Sequence, residues 1–384
     1  MLDQIFGVPF TLVSFLIALS VIVFVHEFGH FFVARRCGVR CETFSVGFGP
    51  ELFGYTDKHG TRWKFSIIPL GGYVRMFGEA ETMHAIEGGS DKESDGDQKE
   101  ATEPQVRELT EDEKKVSFKH KTLRQKSAIV FAGPAVNLIF AIAVFWAMFM
   151  MVGRPVTEPV IGLVAEGSAA EEAGLMPEDR ILSIDGSDID RFEDIQTIVQ
   201  LGNGAPMDLT IERDSTQLNI NLTPKPIDGM DPFGNAQRQF RIGIGASGQT
   251  RLIDLGPVSA LGVAFGQTYE IIEGTAIALG QIISGERGTE DLGGPIKIAK
   301  YSGQAAKTGI AGFILFMAIL SINLGIINLF PVPLLDGGHL LFYAIEAVRG
   351  RPLSDHAQEW GMRFGLALVV ALMVFVTWND IVNF

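Results

Sequence analysis

Twenty-one consecutive residues, Ile5–Val25, carry no charge, and the five that follow read His26-Glu27-Phe28-Gly29-His30. An uncharged run of about 20 residues is what a helix needs to cross the hydrocarbon core of a bilayer. Ionisable groups within such a span are costly there and default to a functional reading. On a helix, His26 and His30 lie one turn apart on one face, where both can ligate the same metal. The competing explanation, snorkelling or capping groups in a chance pattern, needs no further partner. A metal site needs a third ligand.

Composition narrows the setting. The chain has 384 residues, 47% of them hydrophobic, with a mean hydropathy of +0.25, which suits a membrane protein with sizeable soluble parts. A net charge of −14 argues against a nucleic-acid partner. Much of the acidity falls in Glu79–Glu113, a stretch poor in apolar residues that reads as part of a disordered cytosolic loop, 79–118. The two cysteines, Cys37 and Cys41, have no second pair to complete a metal or redox site and read as reduced thiols. Neither a basic leader nor a small-residue cleavage site precedes the first apolar run, so it reads as a retained helix rather than a signal peptide.

Four spanning segments are expected: about Phe6–Val33, Ser127–Gly153, Thr308–Leu335 and a shorter one, Phe364–Asn379, anchored by Trp378. Val258–Ser284 is fairly apolar but interrupted by Glu270 and Glu273, as in an amphipathic surface helix. Arg35, Arg36, Arg40, Lys119, Lys121, Arg124 and Lys126 lie between the first two spans, and Arg349 and Arg351 between the last two. Positive charge marks cytosolic loops, so both termini and residues 154–307 are expected outside. His26 and His30 then lie near the cytosolic end of the first span, and any third ligand must arrive at that depth.

Asn328-Leu329-Phe330-Pro331-Val332-Pro333-Leu334-Leu335-Asp336-Gly337-Gly338-His339 meets that demand. The third span runs inward and delivers Asp336 level with the histidines. Its prolines free backbone groups that a membrane tolerates only against protein or a wet cavity. His26, His30 and Asp336 make two imidazoles and a carboxylate, leaving a fourth position for water, as in catalytic zinc sites. Glu27 is the expected proton carrier, taking a proton from the attacking water and giving it to the leaving amine. Asn328 can bond the substrate backbone or the oxyanion, or simply a neighbouring helix. His339 ranks below Asp336 as a ligand because it opens the next helix.

Thr43–Pro50 and Arg62–Ile68 read as two β-like runs joined through Asp57-Lys58-His59-Gly60, either an ordinary hairpin or an edge that pairs with an unwound substrate. Gly133 and Asn137, in Gly133-Pro134-Ala135-Val136-Asn137, suit close helix packing and a bond across the interface. Between the second span and the amphipathic helix, strand, short helix, strand and an Asp185-Gly186 turn succeed one another, followed by a helix near Phe192–Leu201 and two more strands.

The chain therefore reads as a polytopic α-helical membrane protein of four transmembrane helices, with a juxtamembrane β-hairpin region and an inserted α+β domain. The segments are 1–42, the first helix; 43–78, the β-like region; 79–118, the acidic loop; 119–153, the second helix; 154–228, the inserted domain; 229–307, a linker with the amphipathic helix; 308–340, the third helix; and 341–384, a cytosolic helix and the fourth span. A catalytically silent membrane scaffold would have lost Glu27 or Asp336. A metal transporter would show further ligands on the other helices, which offer only Asn137.

These motifs together resemble the site-2 protease family of intramembrane zinc metalloproteases. The likeness rests on His26–His30, Gly47-Phe48-Gly49, Gly133–Asn137, Gly293-Gly294-Pro295-Ile296 and Asn328–Gly338, in that order. It implies a bacterial inner-membrane enzyme with His26, His30 and Asp336 on zinc and Glu27 catalytic. Asn328 and Gly47, Phe48 and Gly49 would hold substrate. The inserted unit, about Thr157–Ile227, resembles a PDZ domain, a module that captures peptides or C-termini by strand addition; better-known relatives carry two. The implied partners are single-span membrane proteins, such as anti-sigma factors already trimmed outside, and remnant signal peptides.

Overall fold

The computed structural model describes residues 2–78, 109–202, 204–230, 236–285 and 293–382. The chain divides into two compact units, Met1–Phe145 with Val263–Phe384, and Trp146–Gly262.

The first unit opens with α1 (Leu2–Arg36), followed by β1 (Cys41–Thr56), β2 (Arg62–Met76), α2 (Glu111–Val116) and α3 (Leu123–Met151), whose last turns enter the second unit. Four helical segments of the described residues are long and apolar enough to cross a membrane: Gly7–Arg36, Leu123–Met151, Ile310–Asn328 and His356–Val382. Each of the four expected spans thus corresponds to a helix of that length and composition, but the third ends at Asn328 rather than Leu335, because the Pro-rich run breaks it before Asp336 opens the next helix. The fourth is much longer than Phe364–Asn379, because the polar turns before Phe364 continue the helix although they add no hydropathy.

Most of the acidic stretch, 79–108, lies outside the described residues. Its end corrects the expectation of disorder across 79–118. Thr110 opens α2 with a capping box, accepting the Glu113 N–H while the Glu113 carboxylate accepts the Thr110 N–H. Capping and the Lys114–Glu111 and Lys115–Asp112 pairs supply order that composition alone does not reveal. Cys37 and Cys41 form no disulfide.

The expected hairpin is more elaborate than two runs and a turn. Phe44 has Val74 on one side and Trp63 on the other, Val46 has Gly72 and Phe65, and Trp63 also faces Tyr55. The two long strands thus fold into four ribbons, 72–76, 41–48, 62–68 and 51–56. Its turn is pinned by Asp57, whose carboxylate accepts N–H groups from His59 (2.8 Å), Thr61 (3.0 Å) and Trp63 (3.3 Å) and pairs with Arg35 of α1. Phe44 and Phe31 seal the sheet onto α1 in one apolar cluster.

The second unit follows: β3 (Arg154–Thr157), β4 (Ile161–Val164), α4 (Ala169–Glu172), β5 (Arg180–Ile184), β6 (Ser187–Asp188), α5 (Phe192–Leu201), β7 (Met207–Arg213), β8 (Thr216–Leu222), β9 (Lys225–Met230), β10 (Ala236–Arg241), β11 (Ile244–Ala246) and β12 (Thr250–Ile253). A four-stranded sheet runs β6-β5-β7-β8. Along β7, Met207, Leu209 and Ile211 point into the core and Asp208, Thr210 and Glu212 away, the period of a half-buried strand. Burying each such side chain stabilises by about 2 kcal/mol.

The linker expected from 229 onward is corrected here. β11 pairs with β4 and β12 with β3, and Ile242 enters the same core as Ile161 and Ile195. These strands are three or four residues long and interrupted by glycines, too short for an alternation to register. One glycine is needed for the pairing: a Cβ at Gly162 would stand 2.6 Å from the Ala246 carbonyl oxygen.

Asp179 has no exposed surface and is held by Arg213 through two hydrogen bonds of 2.6 and 2.7 Å, which raise the Arg213 pKa above its ordinary value. Arg213→Ala leaves that buried carboxylate without a counter-charge, with the Met176 N–H (2.8 Å) still bonded to it, and is expected to destabilise this unit by about 3 kcal/mol. Limited proteolysis of the full-length protein would then cut within 146–262 about a hundredfold faster. An unchanged rate would show that the pair contributes nothing.

The chain re-enters the first unit through α6 (Pro257–Ser284), then α7 (Pro295–Lys307), α8 (Ile310–Asn328), α9 (Asp336–Arg349) and α10 (Asp355–Val382). α6 covers the stretch expected as an amphipathic helix and exposes Val258, Leu261, Phe265 and Tyr269 at helical spacing. The start of α7 is capped from a distance: buried Asp380 of α10 accepts the N–H groups of Gly294, Ile296 and Lys297 at 2.9–3.1 Å.

Candidate metal centre

His26 and His30 come from the same face of α1, both 9% exposed. Asp336 comes from the first turn of α9, at the end of the Pro-rich break between α8 and α9. Glycine makes that break possible. A Cβ at Gly338 would meet Pro333 Cα and the Val332 carbonyl carbon at 2.6 Å, and one at Gly337 would overlap the Leu329 carbonyl. The loop 329–335 can therefore fold back onto the start of α9 only over bare backbone, and this fixes where Asp336 points.

The three side chains converge. His26 Nε2 lies 3.2 Å from His30 Nε2 and 3.2 Å from Asp336 Oδ2, and His30 Nε2 lies 3.5 Å from the same oxygen. Ligands at about 2.0–2.1 Å from a tetrahedral zinc stand about 3.3 Å apart. The triangle has that size. Asp336 Oδ2 is buried and has no hydrogen-bond partner, so two imidazole nitrogens and an unpartnered carboxylate oxygen face a common point that a cation satisfies. Among the described residues this is the one cluster of three or more potential metal-ligating side chains. His30 is oriented from behind, its Nδ1 lying 2.9 Å from the Ile129 carbonyl oxygen. A carbonyl only accepts, so Nδ1 carries the hydrogen and Nε2 keeps its lone pair for a metal.

Comparison with known proteins agrees with this donor set. The model of peptidase family M50 matches residues 14–372. The chain belongs to peptidase family M50. A relative from Rhizobium meliloti, named as a zinc metalloprotease, is 43% identical over 381 residues, covering 98% of this chain and 97% of its own. One from Agrobacterium fabrum with the same kind of name is 42% identical over 373 residues, 96% of this chain and 95% of its own. The regulator of sigma-E protease RseP of Salmonella typhimurium is 32% identical over 471 aligned positions, 97% of this chain and 99% of its own. The expectation of a zinc-dependent peptidase in the site-2 protease family stands.

The other residues singled out in the sequence of this M50 peptidase take the following places. Glu27 follows His26 on α1, half-buried, and its Cγ packs on β2: a Cβ at Gly72 would stand 3.1 Å from it and 2.7 Å from Val23 Cγ1. Gly47 and Gly49 take φ of +93° and +84°, a bend in β1 that side-chain-bearing residues rarely adopt. Phe48, 41% exposed, stacks on Tyr73 with ring centres 6.1 Å apart and covers Gly71. The Gly47–Gly49 bend thus adjoins the Gly71–Gly72 stretch that walls Glu27. Asn328 is the last residue of α8, half-buried, with no hydrogen bond to the triangle among the described residues. His339 stacks edge-on against Phe342 and stays out of the cluster.

Sequence reasoning did not assign Gly72 or Ile129 to the site, and took Gly133 as a close-packing residue of the site architecture without placing it against the histidines. A Cβ at Gly133 would come within 2.6 Å of His30 Cε1 and 2.8 Å of His26 Cε1, and closer still to His30 Nε2. Consecutive glycines within a strand signal close backbone approach and could have pointed to Gly71–Gly72. A main-chain carbonyl such as that of Ile129 leaves no trace in sequence. The helices meet through small residues: a Cβ at Gly29 would stand 2.9 Å from the Ala132 carbonyl carbon, and one at Gly325 3.2 Å from the Pro134 oxygen.

Proposed function

We propose that this peptidase makes the second, intramembrane cut in single-span membrane proteins, with His26, His30 and Asp336 holding zinc and Glu27 as the catalytic residue. The observation that carries the proposal is the triangle of ligand atoms, 3.2–3.5 Å on a side, set on a helix long and apolar enough to span a membrane. Zinc held there supplies a Lewis acid that polarises the scissile carbonyl and lets water attack near neutral pH. Glu27 takes the proton of the attacking water and passes it to the leaving amine. The Glu27 stem packs on the bare backbone of Gly72, where a Cβ would come within 3.1 Å of its Cγ, which helps to place the carboxylate.

A substrate helix hides its peptide bonds in its own hydrogen bonds and must be unwound. In this proposal the ribbon around Gly47, Phe48 and Gly49 receives the extended segment by strand addition, and Asn328 bonds its backbone. The unit 146–262 acts as a single PDZ-like module. Its cavity of about 740 Å³ lies between α5 and the run Phe240–Gly245, with Ile195, Val199 and Ile242 on its walls and Lys225 and Arg241 at its rim, which suits an extended peptide or a C-terminal carboxylate. The relatives and the charge pattern support a bacterial inner-membrane protein with this module and both termini outside and the metal near the cytosolic side. Anti-sigma-like regulators already trimmed outside, and remnant signal peptides, are the proposed substrates.

The test is cleavage by the purified protein in detergent of a single-span substrate with its outer portion removed, set against an unfolded soluble protein. Cutting of the first alone, within its apolar segment, is expected. Equal cutting of the soluble chain would overturn the intramembrane assignment. His26→Ala, His30→Ala and Asp336→Asn are each expected to lose stoichiometric zinc, and a variant that keeps it would remove that residue from the ligand set.

A further inference from the structure

His30 is oriented by a main-chain carbonyl, whereas the outer nitrogen of His26 meets a side chain. Asn137, on α3 and without exposed surface, places its carboxamide 3.2 Å from His26 Nδ1. In the structure the amide nitrogen faces Nδ1 and the amide oxygen is buried without a donor. A carboxamide's oxygen and nitrogen have nearly the same shape, and which one faces a neighbour follows from the chemistry around it. An NH2 group donating to Nδ1 would force the His26 hydrogen onto Nε2. That hydrogen would then point into the triangle, where His30 Nε2 and Asp336 Oδ2 each lie 3.2 Å away. The nitrogen could not then bind a metal.

We propose that Asn137 is the positioning residue for His26: its side-chain oxygen accepts the Nδ1 hydrogen and so turns the Nε2 lone pair toward zinc. His26 and His30 then present the same tautomer, each fixed by one oxygen from α3, the Asn137 amide and the Ile129 carbonyl two turns earlier. A side chain can do for His26 what a backbone carbonyl does for His30 because Asn137 is itself anchored. Its main-chain oxygen accepts the Ser321 hydroxyl of α8 at 3.1 Å, and its Cβ lies opposite Gly325. This inference rests on the proposed ligand set.

The experiment is zinc affinity of the full-length protein in detergent, stripped of metal and titrated with zinc against a chromophoric chelator. Asn137→Leu keeps the volume and removes the acceptor; a 10- to 100-fold loss of affinity is expected, the usual effect of deleting a group that orients a ligand. Asn137→Asp restores an acceptor oxygen and is expected to bind within about threefold of wild type, or tighter. A purely structural role would not separate these two variants. Ser321→Ala removes one anchor of Asn137 and keeps the amide in place, so a loss of affinity smaller than that of the leucine variant is expected. Leucine binding like wild type, or aspartate as weak as leucine, would overturn the inference. If the leucine variant does not fold, the aspartate variant decides by itself: affinity retained supports the assignment and affinity lost overturns it. A wild type that takes up no zinc would overturn the ligand set and this inference with it. Zinc uptake by wild type with leucine matching it would overturn this inference alone.

Discussion

Glu27→Gln is expected to lower the rate of cleavage by roughly 10²- to 10⁴-fold, the range over which a positioned acid–base group acts, while one zinc per chain remains bound. The two halves of that result test different things. The amide cannot accept the water proton, so the rate falls. Glu27 lies outside the triangle of His26, His30 and Asp336, so metal content does not. Steady-state cleavage of a single-span substrate, alongside zinc by elemental analysis on the same preparation, reads both. Retained activity would remove Glu27 from the reaction. Loss of zinc would mean that its carboxylate is a ligand.

Gly133→Ala is the second large effect, and its sign runs against local preference. In an ordinary helix interior alanine is favoured over glycine by about 1 kcal/mol. Here the added methyl would stand 2.6 Å from His30 Cε1 and 2.8 Å from His26 Cε1. Neither ring can retreat easily, because His30 is tied to Ile129 and His26 to Asn137. The expected outcome is a fall in zinc affinity of about a hundredfold, with cleavage lost at limiting zinc and helicity unchanged by circular dichroism. Zinc binding and activity equal to wild type would show that the rings have room the structure does not give them.

How much of this was legible beforehand follows from the physics each feature uses. His26, His30 and Asp336 could be brought together because hydropathy and charge bias place residues at a depth, and depth was enough to pair positions far apart in sequence. The same reading could not supply lateral packing. Gly133 and Asn137 were legible as residues of a tight helix contact but not as neighbours of the histidines, since that depends on the rotation of α3. In the soluble parts, β7 is legible because Met207, Leu209 and Ile211 alternate with polar residues. β11 and β12 were missed because strands of three and four residues gain their order from partners elsewhere, β4 and β3. The four-ribbon sheet was half legible: the turn at Asp57–Gly60 was plain, whereas Val74 pairing back onto Phe44 is a tertiary choice.

The separation of the ligands along the chain bears on how such an enzyme is made. On the proposed ligand set, two donors leave the ribosome with the first helix, and the third follows about 300 residues later. At bacterial and eukaryotic elongation speeds of about 5–20 residues per second, that interval lasts roughly 15–60 s. Through that time the nascent chain holds only a bidentate imidazole pair, too few donors to retain zinc firmly, while other new proteins are threaded into the membrane beside it. On that ligand set hydrolytic competence is deferred to the last stage of synthesis, and a product ending before Asp336 lacks the third donor.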